Sequence, residues 1–218
     1  MAPIIISIEG NIGSGKSTIV KYLRSYYESK EFSPYVFLDE PVDEWNSIVD
    51  NNGVNMIQKF YGNPEKYAFA FQMMAYISRL QNLRSAIALY PNKIIITERS
   101  LFTDKFVFAK MLYDEGKIDT MEYQIYEKWF DAFIDDIHVT KVVYVNTQPD
   151  VCESRIKVRD RNGEENITRE YLDKCHTYHE AMIDSLERST TTINVVNGNH
   201  DIYQDEFVVT KWIESIEQ

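Results

Sequence analysis

The chain has 218 residues, 44% of them hydrophobic, enough to bury a core without disulfide or metal staples, so a single domain is expected. With 23 Lys and Arg against 34 Asp and Glu, its formal net charge of -11 repels polyanions and argues against DNA or RNA as partners. Two cysteines, Cys152 and Cys175, are too few for a disulfide framework and fit a reducing compartment, and no apolar run approaches the ~20 residues of a membrane span; a cytoplasmic protein without membrane partners is expected.

The first predicted element is an apolar strand at 4–8, followed at once by Gly10-Asn11-Ile12-Gly13-Ser14-Gly15-Lys16-Ser17-Thr18 and a helix at 16–28. Gly-x-x-x-x-Gly-Lys-Ser between strand and helix is a phosphate-binding P-loop: the glycines let backbone N–H groups close around an anion, and Lys16 adds a charge for the β- and γ-phosphates. Ser17 offers a hydroxyl to Mg²⁺, and the helix N-terminus faces the phosphates. A second strand at 35–38 leads into Asp39-Glu40-Pro41-Val42-Asp43-Glu44-Trp45, where Glu40, held by Pro41 at a strand end, can act as general base toward a hydroxyl. A long helix near 64–90 precedes a third strand at 93–97 and then Glu98-Arg99-Ser100. Glu98 can hold Mg²⁺, directly or through water, and Arg99 can stabilise a transferred phosphoryl group. The guanine-reading Asn-Lys-x-Asp element of a GTPase is missing.

Helices at 104–114 and 120–136, a strand at 142–145 and a helix at 149–158 follow. The last runs into a knot of cations in which Arg155 and Arg159 share a helix face and Arg161 begins a loop. The knot reads either as a solvated helix end paired with Asp160 and Glu164 or, better in so acidic a chain, as a lid that closes over a triphosphate and excludes water. Cys175-His176-Thr177-Tyr178-His179, on a helix at 168–188, has superficial metal-ligand spacing without further ligands and reads as core. A strand at 193–196 and a helix at 203–216 complete an alternation that predicts an α/β protein with a parallel sheet covered on both faces, its ligands beyond the carboxyl ends of the strands.

Several motifs in register, Ile8-Glu9-Gly10 through Thr18, Glu40-Pro41-Val42-x-x-Trp45, Glu98-Arg99-Ser100 and the arginine-rich lid, resemble the deoxyribonucleoside kinases from residue 4 to about 190. The resemblance implies a P-loop NTPase-type five-stranded parallel sheet, a homodimer, and transfer of the γ-phosphate of ATP, with Mg²⁺, to the 5′-hydroxyl of a deoxyribonucleoside. It makes Glu40 the base and sets Arg99 beside the 5′-oxygen. Tyr61 and Glu164 would bind the 3′-hydroxyl, Gln72 would read the Watson–Crick edge of the base, Phe71 and Phe108 would pack on its face, and Trp45 would wall the sugar. Arg79, seven residues after Gln72, and Asp104 can pair at the base edge with Ala75 nearby, a pattern similar to the deoxycytidine, deoxyguanosine and deoxyadenosine kinases rather than to members that prefer thymidine. The segment 194–205 keeps only the polar, glycine-bearing character of the family's adenine-sensing loop, so ATP is the default donor. The rival readings are a nucleoside monophosphate kinase, whose anionic acceptor has no use for Glu40, and a non-catalytic nucleotide sensor.

Overall fold

The computed structural model describes residues 3–135, 137–161, 163–200 and 206–217, with backbone alone for 206–209. Five strands, β1 (Ile5–Glu9), β2 (Tyr35–Leu38), β3 (Ile94–Glu98), β4 (Lys141–Asn146) and β5 (Thr192–Asn197), pair in parallel in the order β2-β3-β1-β4-β5. Each lies within one residue of its predicted bounds at either end. The strands read as near-continuous apolar runs because both faces are covered, and the alternation of side chains divides the core in two. Ile5, Ile95, Val142 and Tyr144 pack on one side with Tyr76, Leu80, Tyr126, Phe130 and Met182; Ile6, Ile8, Ile96, Val143 and Val145 pack on the other with Ile19, Leu23 and Trp212.

The helices are α1 (Lys16–Glu28), α2 (Val42–Ser47), α3 (Met56–Gly62), α4 (Pro64–Leu89), α5 (Leu101–Thr103), α6 (Lys110–Asp114), α7 (Thr120–Ile134), α8 (Pro149–Arg159), α9 (Arg169–Glu187) and α10 (Glu206–Glu217). Pro64 at the first turn and the Asn63 side chain, which accepts from the Lys66 amide, start α4 where Pro is tolerated. Three sequence expectations need correction. The segment predicted as a helix at 104–114 begins at Leu101 and passes through a π-helical stretch, Asp104–Ala109, before α6. α2 and α3 carry no periodic signal long enough to be read. The helix predicted at 120–136 ends at Ile134 with Asp135 as its C-cap, and the helix predicted at 203–216 is observed as Glu206–Glu217, residues 203–205 lying outside the described residues. Among the described residues no helix is long and apolar enough to cross a membrane.

Register places the chemistry. Ile8 pairs with Glu98, and Leu38 with Thr97, so the residues after β1, β2 and β3 leave the sheet along one edge. The order of the strands reverses around β1, and the crevice there is where open α/β sheets take ligands.

Candidate active site

A cavity of about 880 Å³ opens at that edge. Its floor is the P-loop. Gly10 and Gly13 have φ of 144° and 76°, and a Cβ added to either would come within 2.6 Å of a backbone oxygen, that of Val145 or Cys152, so no larger residue fits. The Asn11 side chain staples the loop from within, its Nδ2 donating to Leu172 O at 2.8 Å and its Oδ1 accepting from the Ile12 amide at 2.8 Å. Glu9, buried at the root of the loop, accepts from Ser7 at 2.5 Å and from Thr103. Lys16 Nζ donates to Asn11 O at 2.7 Å, and burial, then the nearby Arg99, lowers its pKa from 10.5 to about 7. An anion brought alongside restores its charge.

The Ser17 hydroxyl donates to Glu98 Oε1 at 2.7 Å. One residue on, Arg99 turns the other way, with a left-handed φ of 64° that is unusual for a side chain other than glycine. Its amide continues the ladder to Ile8 O at 3.0 Å, and Thr97 Oγ1 donates to its carbonyl at 3.0 Å, which holds the strained peptide in place. The guanidinium donates from Nε to Glu40 Oε1 at 3.1 Å and from Nη1 to Gly10 O at 2.8 Å, with the Phe108 ring 4.9 Å from Cζ.

Glu40 Oε1 also accepts from Arg79 Nη2 at 3.1 Å. Burial alone would raise this carboxyl, but Arg99, Arg79 and Lys16 overcome it and hold the pKa near 2, so Glu40 is ionised at any working pH. Arg79 is buried on α4 with all its polar reach committed: Nε to Asp104 Oδ2 at 3.0 Å, Nη1 to Glu98 O at 2.8 Å and Nη2 to Glu40. The expected pairing with Asp104 is present, and Arg79 in addition bridges Asp104 to Glu40. Asp104, at the head of the π-helical stretch, is raised from 3.8 to about 6 because burial outweighs its guanidinium partner.

Gln72 lies two turns before Arg79 on α4, 2% exposed, and its Oε1 has no hydrogen-bond partner among the described residues. Trp45 is fixed by an Nε1 hydrogen bond of 2.8 Å to Ser78 and meets Phe71 edge-on at 5.7 Å, while Phe71 stacks on Phe60 at 4.5 Å. Tyr61, Ala75, Phe108 and Glu164 also line the cavity.

Sequence spacing groups Arg155 with Arg159 as lid arginines, and the structure gives them different partners. Arg155 donates to Ser14 O at 3.1 Å and His200 O at 3.2 Å, bridging the P-loop to the loop after β5. Arg159 and Arg161 instead pair with Glu164 at 2.5 and 3.3 Å, so the carboxylate expected to reach a sugar is also the counter-ion of these two arginines. All three arginines line the cavity, as do Gly198, Asn199 and His200 of the loop after β5. Of the expected site residues only Gly10 and Asn11 shape the cavity from behind it. Ile57, Phe60 and Tyr171 line it without having been singled out by any motif.

The sequence that builds this site has relatives. A family model described as deoxynucleoside kinase matches residues 6–218. The chain is 34% identical over 205 residues to a protein described as a probable deoxycytidine kinase of fowlpox virus (strain NVSL), covering 92% of this chain and 81% of that one. It is 32% identical over 225 residues to human deoxycytidine kinase, with 94% and 82% covered. It is 28% identical over 210 residues to a mitochondrial deoxyguanosine kinase of Xenopus laevis, with 88% and 76% covered. The matched span takes in the whole cavity and all five strands but for the first residue of β1, and the chain belongs to the deoxynucleoside kinase family.

Proposed function

We propose that the protein transfers the γ-phosphate of ATP to the 5′-hydroxyl of a deoxynucleoside whose base carries an exocyclic amino group, with deoxycytidine, deoxyadenosine or deoxyguanosine favoured over thymidine. The observation that carries the choice of base is the buried carboxylate of Asp104, which lines the cavity and is held by Arg79 Nε at 3.0 Å. The ionised carboxylate of Asp104 accepts from an exocyclic amino group, whereas thymine turns a carbonyl and a methyl toward it; the Gln72 acceptor can be met by the N3–H of thymine as well as by an amino group and does not discriminate.

At the reacting end, Glu40 receives the proton of the 5′-hydroxyl. A carboxylate near pKa 2 is a weak base, which suits a loose phosphoryl transfer in which the proton leaves late and orientation of the nucleophile matters most. Arg99 and Lys16 stabilise charge on the transferred group, and Arg159 and Arg161 carry the lid's positive charge to it. Ser17 and Glu98 supply one hydroxyl and one carboxylate 2.7 Å apart beside the P-loop, a donor set that suits Mg²⁺ completed by phosphate oxygens. When bound, Mg²⁺ supplies neutralisation of the phosphate charge. Met121, Ile125 and Trp129 form an exposed apolar stripe at i, i+4 and i+8 of α7, which supports a homodimer formed through that face. The buried free thiols Cys152 and Cys175 support a reducing compartment such as the cytoplasm.

A coupled assay with ATP and a panel of deoxynucleosides and their monophosphates tests the reading. Turnover of deoxycytidine or a purine deoxynucleoside with weak thymidine activity is expected. Preference for thymidine overturns the base assignment, and preference for a monophosphate overturns the role of Glu40.

A further inference from the structure

His179, wholly buried on α9, has no part in the reaction outlined above. Its Nδ1 lies 2.7 Å from the carbonyl of Cys175, one helical turn back. A carbonyl only accepts, so Nδ1 carries the proton and Nε2 keeps a lone pair. That nitrogen is 3.5 Å from Nη1 of Arg99, a long hydrogen bond in which the guanidinium is the donor. The ring is wedged in place, Tyr144 stacking beside it with a centroid distance of 6.4 Å and Phe108 meeting it edge-on at 6.2 Å. Burial and then Arg99 push the imidazole well below its ordinary range, so it is neutral, as an acceptor beside a guanidinium must be.

Arg99 has need of such a partner. It leaves β3 with a left-handed backbone, and the other two acceptors of its guanidinium are Glu40 and Gly10 O. Glu40 loses its negative charge when it takes up a proton, and Gly10 belongs to the loop that must seat the phosphates. The imidazole is the acceptor that keeps its state through the cycle. It stands on α9, whose Leu172 carbonyl also receives Asn11, so one helix braces both the P-loop and the arginine.

We propose that His179 is a positioning residue for Arg99, its Nε2 lone pair keeping the guanidinium aimed at the reacting oxygen while Glu40 changes protonation state. The proposal rests on the assignment of Arg99 to that oxygen, and the test separates the two.

His179→Phe keeps the flat ring between Tyr144 and Phe108 and removes both nitrogens. His179→Asn keeps a donor for Cys175 O and removes the Nε2 acceptor together with the outer part of the ring. His179→Gln returns an acceptor near the position of Nε2. Steady-state kinetics with each variant, alone and on Arg99→Lys, is read together with Tm. Phe and Asn are expected to lower kcat about ten- to a hundredfold, the worth of an unmet buried donor, with KM for nucleoside within about threefold of wild type. Gln is expected to recover most of the rate, and on Arg99→Lys the loss from Asn is expected to shrink to less than about threefold, because the two changes remove one interaction. If Phe fails to fold, Asn and Gln carry the comparison. Wild-type kcat in the Asn variant, or an undiminished loss on Arg99→Lys, overturns the proposal for His179 alone. An Arg99→Lys single variant with wild-type kcat overturns the assignment of Arg99, and that of His179 with it.

Discussion

At the P-loop end of the cavity the wall is one continuous segment, the seven residues from Ile12 to Thr18, bent by left-handed glycines and stapled from behind by Asn11. At the end where we propose that the nucleoside binds, the wall is side chains drawn from separate elements, Trp45 on α2, Gln72 and Arg79 on α4, Asp104 in the π-helical stretch and Glu164 in the segment between α8 and α9. The division follows the chemistry of the ligands. Phosphate is the same in every donor and is met by peptide N–H groups that any sequence has, whereas sugar and base differ among substrates and need particular side chains. Substitutions at the nucleoside end should therefore change which substrate is used, or how fast, and leave the grip on the triphosphate nearly intact.

The largest expected effect lies where the two ends meet. Glu40→Gln should lower kcat by ~10²–10⁴ while triphosphate binding and Tm stay close to wild type. Steady-state kinetics beside a triphosphate-binding titration checks it, and an unchanged kcat would move the base elsewhere. Next is the sugar: a 2′,3′-dideoxynucleoside leaves Tyr61 and Glu164 with unmet hydrogen bonds, which should lower kcat/KM roughly ten- to a hundredfold. Equal efficiency on both sugars would separate those residues from the 3′-hydroxyl.

Arg79→Met with Asp104→Ala should raise kcat/KM for thymidine relative to deoxycytidine by about tenfold, the range of one or two hydrogen bonds. Because Arg79 also holds Glu40 at 3.1 Å, kcat should fall with every nucleoside, and competition assays between the two substrates separate this general loss from the change in preference. The smallest effect is with pH. An amino group donates to the ionised carboxylate of Asp104, which takes up a proton below about pH 6. The kcat/KM for deoxycytidine should therefore be flat above that pH and fall below it to a plateau less than about tenfold lower, the worth of the one hydrogen bond that protonation removes. Asp104→Asn should abolish the acid limb; an identical limb in that variant would assign it to another group.

Legibility in the sequence divides along the same line. The P-loop, Glu40 and Glu98-Arg99 follow apolar strands by one or two residues, so a local pattern locates them in space. The strand alternation likewise reveals the parallel sheet. α2 and α3 span six and seven residues, under two turns, and hydrophobic periodicity has no window in which to show. Their one local signal is the capping box in which Asn55 accepts from the Gln58 amide and Gln58 reaches back to that of Asn55. With α3 go Ile57 and Phe60 of the cavity wall. Tyr171 belongs to no motif at all. Arg155 shares a helix face with Arg159, and only the tertiary approach of Ser14 O and His200 O explains why it turns from the lid. The π-helical stretch is also invisible beforehand, since its extra residue per turn leaves no mark in composition.

The end of β3 sorts opposite charges to opposite sides of the sheet. Glu98 ends the strand on the side of α1, where it meets Ser17, and the next residue, Arg99, turns toward Glu40 and α9. Exchanging these neighbours, as Glu98→Arg with Arg99→Glu, keeps the composition and net charge of the protein. It would set a guanidinium beside Ser17, where we propose that a divalent cation is held, and a carboxylate beside Glu40. The order of two adjacent letters thus carries a polarity across the sheet, and no compensating surface charge can restore it.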